Sequence, residues 1–432
     1  MPPSRCAANA EVNSKSFGAL NVPDLRRASF VNSSDPRRRL LLELFQVGLD
    51  KVSGRRSVAR ALAGFAGPVW IAAIGKAASA MALGAHDVLG VSIERTLVIT
   101  KDDHVAPQLH ALRNVEIHES AHPVPDKRSL EAGQSLLKWL KELPRSVEPL
   151  FLISGGASSL VEVLEEGVTF EQLGKLNAEG LASGIPIGEL NARRTKLSRI
   201  KGGGVARLLG DRPAQALFIS DVPSDDPAVI GSGLLGPAIG HKDRVERTII
   251  ASLDHAVDGV CTAAEKLGLD VRRPASRFDD EAARLAVRFT HELHLNSAQV
   301  CVWGGESTVQ LPQNPGRGGR NQHLALAAAR LLAGQPNMLL LAAGTDGTDG
   351  VTDDAGALVD SETCARLSVS EIDVDDSLRR ADSGTALAAS GDLVHTGPTG
   401  TNVGDLVIGL KLSHAAARIV IEGRDGLDTH VL

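Results

Sequence analysis

The stretch from Val300 to Asp354 constrains the fold more than any other part of the chain. Two short apolar runs, VCVW (300–303) and MLLLAA (338–343), flank a loop rich in glycine and arginine and an Ala/Leu-rich segment. Each run leads into glycines beside charged or hydroxyl side chains. This alternation predicts strand, helix and strand, and in parallel α/β sheets the ligand crevice lies at the carboxyl ends of the strands. We therefore expect an α/β fold with a ligand site at these strand ends.

The residue types in this stretch indicate an anionic ligand together with a divalent ion. Glycines let the backbone approach a ligand, and exposed N–H groups bind anions. Arginines form paired hydrogen bonds with phosphate or carboxylate groups, and clustered aspartates suit a metal or a hydroxyl. A nucleoside triphosphate with magnesium fits this combination.

Composition narrows the class of protein. A chain of 432 residues exceeds one ordinary core and predicts two domains, and 43% hydrophobic with 23% charged residues is typical of a soluble globular protein. A net charge of −6 and 3% aromatic residues argue against a nucleic-acid-binding surface. No apolar run approaches the length of a membrane span. Four scattered cysteines without CxxC spacing predict a cytoplasmic protein without structural zinc.

An earlier strand, glycine and helix pattern places a lysine at a turn. The run VWIAAI (69–74) leads into Gly75, Lys76 and an Ala-rich segment. It is not a P-loop, because the first glycine and the Ser/Thr of that motif are missing. Lys76 is therefore either an active-site cation or an ordinary surface lysine. His122, in the proline-rich loop HPVPD (122–126), is expected to pack that loop, with substrate contact as the alternative.

Two Gly-Gly segments resemble each other. SGGASS (154–159) and GGEST (304–308) both follow an apolar run and continue into hydroxyl side chains. They predict two anion-binding nests that face each other across a cleft, or two unrelated turns. The first segment lacks the closing glycine of a G-x-S-x-G elbow, which disfavours a serine hydrolase.

Two further groups of charged residues are candidates for ligand contacts. Five cations, Arg194 and Lys201 among them, precede three glycines at 202–204 and predict an anion site. Asp221 follows the strand ALFIS (216–220) and is either a magnesium ligand or a turn cap. GSGLLG (231–236) matches a dinucleotide fingerprint in letters, but without the flanking strand and helix it is interpreted as a chance match.

Motifs spread in order over roughly residues 36 to 430 match those of one enzyme family. They are IGKAA (74–78), HPVPD (122–126), LISGGASS (152–159), KLSRIKGGG (196–204), ISDVPSDDPAVI (219–230), GRGGRNQ (316–322), GTDGTDG with VTDDAGA (344–357) and TGPTGTN (396–402). On these motifs the chain resembles the glycerate 2-kinase family, whose C-terminal half is called the MOFRL domain. Members of this family are also labelled hydroxypyruvate reductase.

The alternation of strands and helices predicts an α/β fold with two Rossmann-like domains, largely parallel sheets and an active site in the cleft between them. The resemblance implies a reaction and a set of site residues. The reaction is ATP-dependent phosphorylation of D-glycerate at its 2-hydroxyl, which gives 2-phosphoglycerate and ADP. The implied catalytic residues are Lys76 and Arg320, and the implied Mg²⁺ ligands are Asp221 and Asp346. The implied substrate and phosphate contacts are Ser154, Gly155, Gly156, Ser158, Arg194, Lys201, Gly304, Gly305, Glu306, Arg317, Asn321, Asp349 and Asp353, with Asp349 or Asp353 steering the hydroxyl.

The expected organisation is a disordered N-terminal arm (1–35), a larger α/β domain (36–290) and a MOFRL-like α/β domain (291–432). The sequence leaves the oligomeric state open, with a homodimer as one option, and predicts no nucleic-acid or membrane partner. Two places depart from the family pattern, His323 after GRGGRNQ and the segment 382–389, and both could shift the preference toward a larger hydroxy acid. The alternative functions are an NAD(P)H-dependent hydroxypyruvate reductase and a nucleotide-binding regulator without catalytic activity.

Overall fold

The computed structural model describes residues 34–183, 187–237 and 243–425. Within these residues the chain forms two β-sheets with helices packed on them, which confirms the predicted α/β fold. The predicted N-terminal arm lies outside the described residues except for its last two positions. Asp35 caps the first helix, because its side chain accepts a 2.8 Å hydrogen bond from the backbone N–H of Arg37.

The first sheet has six strands, all parallel, in the order β3-β2-β1-β4-β5-β6. The strands are β1 (Val69–Ile74), β2 (Ile93–Lys101), β3 (Val115–Ser120), β4 (Glu148–Ile153), β5 (Pro213–Ile219) and β6 (Arg244–Ala251). This order reverses direction between β1 and β4, and a doubly wound sheet binds its ligand in the crevice at that point. The turns after β1 and β4 are therefore the expected place for a site.

The second sheet has seven strands and is mixed, so the predicted largely parallel arrangement holds for the first sheet only. Its strands are β7 (Val271–Arg272), β8 (Phe278–Glu281), β9 (Val300–Thr308), β10 (Met338–Gly344), β11 (Gly356–Asp360), β12 (Leu393–Val394) and β13 (Asp405–Lys411). Strands β7 and β8 pair parallel with β9, whereas the other pairs are antiparallel. No helix lies between β10 and β11, and a parallel pair would need a longer crossover.

Fifteen α-helices are found among the described residues. They are α1 (Pro36–Val52), α2 (Gly54–Ala61), α3 (Ala78–Leu89), α4 (Lys127–Glu142), α5 (Ala157–Leu160), α6 (Phe170–Ser183), α7 (Ile187–Thr195), α8 (Gly204–Leu209), α9 (Leu253–Lys266), α10 (Ala282–Leu295), α11 (Arg320–Leu332), α12 (Thr363–Val369), α13 (Val374–Arg379), α14 (Ser383–Ser390) and α15 (His414–Asp425). None of these helices has the length and apolar character needed to cross a membrane.

One apolar core connects the two sheets. It contains residues of α1, α3 and α9 together with inward-facing strand residues such as Ile71 of the first sheet and Leu341 of the second. Helix α1 packs against α9 and also contacts β6, β10 and β13. The second sheet begins before the predicted domain boundary at residue 290, because β7 and β8 precede that residue and already pair with β9.

Candidate active site

A cavity of about 640 Å³ lies where the strand ends of the two sheets meet. Parallel strands deliver Lys76, Gly156 and Asp221 from the ends of β1, β4 and β5. The second sheet contributes residues from the ends of β9 and β10 and from the start of β13, which runs antiparallel to both. The residues that the first sheet contributes form one wall of the cavity, the first-sheet wall, and those that the second sheet contributes form the opposite wall, the second-sheet wall. The lining residues with ionisable side chains are Lys76, Lys101, His122, Asp221, Glu306, Arg320, His323, Asp346, Asp349 and Asp405.

Lys76 connects the two walls. Its backbone N–H donates a 2.9 Å hydrogen bond to the carbonyl of Gly155, which ties the turn after β1 to the turn after β4. Its ammonium donates a 2.9 Å hydrogen bond to Oδ2 of Asp346, which follows β10 of the other sheet. The ammonium thus lies inside the cavity, and the interpretation of Lys76 as an ordinary surface lysine is wrong.

The segment 154–158 shapes the first-sheet wall mainly through its backbone. Gly156 lines the cavity and has φ +83°, a conformation that glycine adopts without strain. The buried Ser154 accepts a 3.0 Å hydrogen bond from the N–H of Ala77, and Ser158 accepts one of 2.8 Å from Ser232. Both serines therefore fix the loop, and neither lines the cavity.

Asp221 is held close to this loop. A Cβ atom on Gly155 would lie 2.1 Å from Oδ2 of Asp221, so glycine at that position leaves room for the carboxylate. Burial raises the pKa of Asp221 to about 6, although the nearby Lys76 ammonium acts in the opposite direction. The only side-chain hydrogen bond to Asp221 among the described residues is a long one, 3.5 Å, from Asn402.

The pKa of Asp346 is lowered, whereas that of Asp221 is raised. Burial alone would raise its pKa, but the Lys76 ammonium and hydrogen bonds from Thr348 lower it below the ordinary value. The N–H and the hydroxyl of Thr348 each donate a 3.1 Å hydrogen bond to Oδ1 of Asp346. Asp346 is thus a fixed anion on the second-sheet wall.

Arg320 lies on the second-sheet wall between two carboxylates. Its Nε lies 2.7 Å from Oδ2 of the buried Asp405, and its Nη2 donates a 2.7 Å hydrogen bond to Glu306. The two carboxylates raise the pKa of Arg320, although burial acts in the opposite direction. Arg320, implied as a catalytic residue, and Glu306, implied as a substrate contact, both line the cavity.

Asp349 binds the first turn of α11. Its carboxylate accepts hydrogen bonds of 3.1 Å and 2.8 Å from the backbone N–H groups of Asn321 and Gln322. Asn321 was implied as a substrate or phosphate contact, but an aspartate of the β10–β11 connection already accepts hydrogen bonds from these N–H groups. Burial raises the pKa of Asp349 to about 7, against the effect of these hydrogen bonds.

The second Gly-Gly segment does not form a nest. Strand β9 continues through Gly304 and Gly305 to Thr308, with Gly305 opposite Asp405 of β13. A Cβ atom on Gly305 would lie 2.1 Å from the carbonyl oxygen of Phe278, and one on Gly304 would contact Leu253. Both glycines allow close packing within the sheet, and the expectation that they cradle phosphate is wrong.

Several other predicted residues do not line the cavity. Lys201 is buried and pairs with the buried carboxylate of Glu162, because an ammonium without solvent requires such a partner. Arg194 lies near the same Glu162, and burial lowers the pKa of Arg194 although the charge of Glu162 acts in the opposite direction. Arg317 pairs with Asp354 at 2.9 Å, which ties the glycine-rich loop to the end of the β10–β11 connection. Asn321 is buried in the first turn of α11, and Asp353 is exposed to solvent.

The structure adds Lys101 and Asp405 to the site and places His122 there as well. Lys101 is the last residue of β2, and a cation directly after the largely apolar run LVIT (97–100) was a usable signal. His122, for which substrate contact was the alternative expectation, lines the cavity. Asp405 begins β13, and only the antiparallel pairing with β9 and β10 places it at the site.

The two departures from the family pattern also lie at this site. His323 lines the cavity from the first turn of α11. In the segment 382–389, Asp382 accepts a 3.0 Å hydrogen bond from the N–H of Arg317, and Ser383 lines the cavity. This segment therefore positions the glycine-rich loop.

Comparison with known proteins assigns the chain to a family. Residues 40–257 match the model of a domain of unknown function, DUF4147, and residues 299–405 match the MOFRL family. The D-glycerate 2-kinase of Thermotoga maritima is 35% identical over 413 aligned positions, and the match covers 86% of this chain and 98% of that protein. The chain belongs to the glycerate 2-kinase family.

A solved structure and a differently named relative complete the comparison. A crystal structure of glycerate kinase from Thermotoga maritima superposes with a TM-score of 0.78 at 35% identity, over 87% of this chain and 99% of that one. An Agrobacterium vitis relative named as a hydroxypyruvate reductase is 34% identical over 375 residues, covering 77% of this chain and 96% of that protein. Both names occur within the glycerate 2-kinase family, as the sequence motifs predicted.

Proposed function

We propose that this protein is an ATP-dependent glycerate 2-kinase that transfers the γ-phosphoryl group of ATP to the 2-hydroxyl of D-glycerate. The products are 2-phosphoglycerate and ADP. The observation that carries the proposal is the Lys76–Asp346 contact, which joins the strand ends of both sheets inside a cavity of about 640 Å³. That volume is within the range of pockets for small molecules. The names of the relatives support the choice of glycerate and of a kinase.

Phosphoryl transfer asks the protein mainly for positioning and charge neutralisation. Lys76 and Arg320 are the two paired cations of the cavity, one on each wall, and a bound anion can compete for them. We assign both to the transferring phosphoryl group or to the carboxylate of the substrate. The left-handed turn at Gly156 lets the backbone approach the same anion closely.

Asp221 and Asp346 are the proposed Mg²⁺ ligands. Among the described residues no three His, Cys, Asp or Glu side chains form a ready metal site. Mg²⁺ bound with substrate phosphates uses only one or two carboxylates, so this pair fits. Asp221 suits the role best, because one long hydrogen bond leaves most of its carboxylate lone pairs available. When bound, the ion neutralises charge on the phosphates.

Asp349 is the better of the two candidates for steering the 2-hydroxyl. It lines the cavity, whereas Asp353 is exposed and does not. Each carboxylate oxygen has two lone pairs, so hydrogen bonds from the first turn of α11 leave room for one more donor. The hydroxyl of the acceptor would be that donor.

A product assay with purified protein tests the function. With D-glycerate, ATP and Mg²⁺ we expect ADP and 2-phosphoglycerate, and chelation of the metal should abolish turnover until Mg²⁺ is restored. Oxidation of NADH with hydroxypyruvate, without ADP formation, would instead select the reductase. Full activity after exhaustive chelation would remove Mg²⁺ from the proposal.

No observation of the structure favours the reductase. The segment GSGLLG begins in a short 3₁₀ turn (Ile230–Gly233), where Ser232 and Gly233 accept hydrogen bonds from the N–H groups of Gly202 and Gly203. A cytoplasmic location is also proposed, supported by the three cysteines within the described residues, Cys261, Cys301 and Cys364, which are all free thiols. The homodimer stays a prediction.

A further inference from the structure

Lys101 is a cation of the first-sheet wall with no partner among the residues that the structure describes. Its side chain lines the cavity and is half-buried at the end of β2. The ammonium of Lys76 has Asp346 as its acceptor, whereas the Lys101 side chain makes no hydrogen bond or ion pair within 34–183, 187–237 and 243–425. A partly desolvated cation without an acceptor is costly, so a bound anion is its natural partner.

His122 lies on the same wall and offers a neutral donor. A Cβ atom on Gly156 would lie 3.1 Å from the His122 ring, which places the imidazole against the loop after β4. Burial, with Lys76 and Lys101 nearby, lowers the pKa of His122 to about 3, so the ring is neutral at physiological pH. A neutral imidazole still donates one N–H hydrogen bond.

We propose that Lys101 and His122 form the subsite that binds the carboxylate of the acceptor, a small 2-hydroxy acid. The inference rests on the proposed kinase function and deepens it, because it states how the enzyme selects an acid over a neutral polyol. One ammonium and one neutral donor match the single negative charge of a carboxylate. The more highly charged triphosphate needs more cations, and Lys76 and Arg320 are then left for the transferring phosphoryl group.

The geometry of the sheet supports this division. Lys76 follows β1 and Lys101 is the last residue of β2, and these neighbouring strands lie about 4.8 Å apart. In a 2-hydroxy acid the carbon that bears the reacting hydroxyl is bonded directly to the carboxyl carbon. The subsite for the carboxylate must therefore lie close to the subsite for the phosphoryl group. Lys101, at the end of the strand next to β1, meets that requirement.

Equilibrium binding to purified full-length protein tests the subsite. We would measure the Kd of D-glycerate and, separately, the Kd of ATP for wild type, Lys101→Gln and the control Lys141→Gln. Lys141 is an exposed lysine on α4 that does not line the cavity, so its substitution removes the same charge elsewhere. Lys101→Gln should raise the Kd of D-glycerate by about 10-fold or more, the scale for losing a charge-assisted hydrogen bond, and leave the Kd of ATP unchanged.

The possible outcomes separate the sources of the anion. A rise in the Kd of ATP, alone or together with that of D-glycerate, would assign Lys101 to the nucleotide and overturn the proposal. Unchanged binding of both ligands would overturn it as well. A comparison on wild type needs no variant: the neutral amide D-glyceramide should bind about 10-fold or more weakly than D-glycerate, and equal affinity would contradict the subsite. Absence of ADP formation by wild type, with D-glycerate still bound, would count against the kinase function and not against the subsite.

Discussion

The two Gly-Gly segments look alike in the sequence but take different places in the molecule. Gly155 and Gly156 follow β4 at the level where its neighbours β1 and β5 also end, so the chain leaves the sheet there. Gly304 and Gly305 have strands beside them, with β13 starting opposite Gly305 and β8 pairing from Gly305 onward. The ladder therefore continues through the second pair. Neighbouring strands, and not the local residue pattern, decide whether such a pair becomes a turn or stays in a strand.

This difference separates residues that shape the site from residues that hold the sheet. In the first pair, Gly156 lines the cavity and Gly155 leaves room for the Asp221 carboxylate and accepts a backbone hydrogen bond from Lys76. In the second pair, Gly305 packs against Phe278 and Gly304 against Leu253. Substitutions at the first glycine pair and at the residues around it should affect turnover, whereas substitutions at the second pair should affect stability.

Among substitutions around the first glycine pair, Lys76→Ala should have the largest effect on turnover. Removal of the ammonium takes away one preorganised charge from the proposed reaction centre, which costs at least about 10²-fold in kcat. The side chain is about one-sixth exposed and contacts the other sheet, so unfolding by denaturant must be measured in parallel. The exposed Lys141→Ala serves as control. Near-normal turnover of a folded Lys76→Ala protein would remove Lys76 from catalysis.

Matched alanine substitutions of Gly155 and Gly305 test the comparison directly. In Gly155→Ala the new Cβ meets the ends of the Asp221 and Asn402 side chains, which can move at little cost in stability. We expect kcat to fall by about 10-fold or more, because a small displacement of a reacting group is costly.

In Gly305→Ala the Cβ meets backbone atoms of Phe278, which cannot move alone. We expect a loss of about 1–3 kcal/mol in the free energy of unfolding with turnover of the folded protein retained. Denaturant titrations and steady-state kinetics on both variants are the measurements. Equal losses of activity in the two variants would mean that both glycine pairs belong to the active site.

Much of the site-bearing part of the fold could be predicted from the sequence, because β1, β4 and β5 contain short apolar runs that lead into a glycine or a polar residue. The parallel order and the cluster of Lys76, Gly156 and Asp221 at the strand ends follow from that pattern. Long-range pairing could not be predicted. The antiparallel start of β13 brings Asp405 to the site, and no local signal shows it.

Charge alone was also an unreliable guide. Lys201 and Arg317 occur in cation-rich, glycine-rich stretches, just as Arg320 does. The structure gives Lys201 a buried carboxylate and Arg317 the buried Asp354, outside the cavity. A sequence motif identifies the cations, but it does not show which carboxylate pairs with each of them in the folded protein.

Arg317→Lys and Arg320→Lys make a matched pair, because Arg317 lies in the glycine-rich loop and Arg320 directly after it, at the start of α11. Arg320 lines the cavity, whereas Arg317 does not. A lysine cannot reproduce the planar paired hydrogen bonds of arginine, so Arg320→Lys should lower kcat by about 10-fold. Arg317→Lys should lower Tm modestly and leave kcat nearly intact. If Arg320→Lys melts early and turns over normally, Arg320 only holds the loop, and the phosphoryl group is bound elsewhere.

The smallest expected effect concerns the pH dependence of stability and sharpens the role of the second-sheet wall. The folded pKa of Asp349 is about 7, above its ordinary value of 3.8. Below both values the carboxyl is protonated in the folded and the unfolded state. Between them the folded state keeps a proton that the unfolded state has lost, so stability falls as pH rises through this window and stays lower above about 7.

Asp349→Asn cannot ionise, yet its amide oxygen can still accept a hydrogen bond from the first turn of α11. The variant should therefore gain stability relative to wild type as the pH is raised from about 5 to about 8, where the buried charge of wild type is fully formed. Denaturant titrations of both proteins across this range give the difference in the free energy of unfolding, in which the titration of all other groups largely cancels. Parallel pH profiles would mean that Asp349 is ionised throughout and that the hydrogen bonds from α11 outweigh its burial.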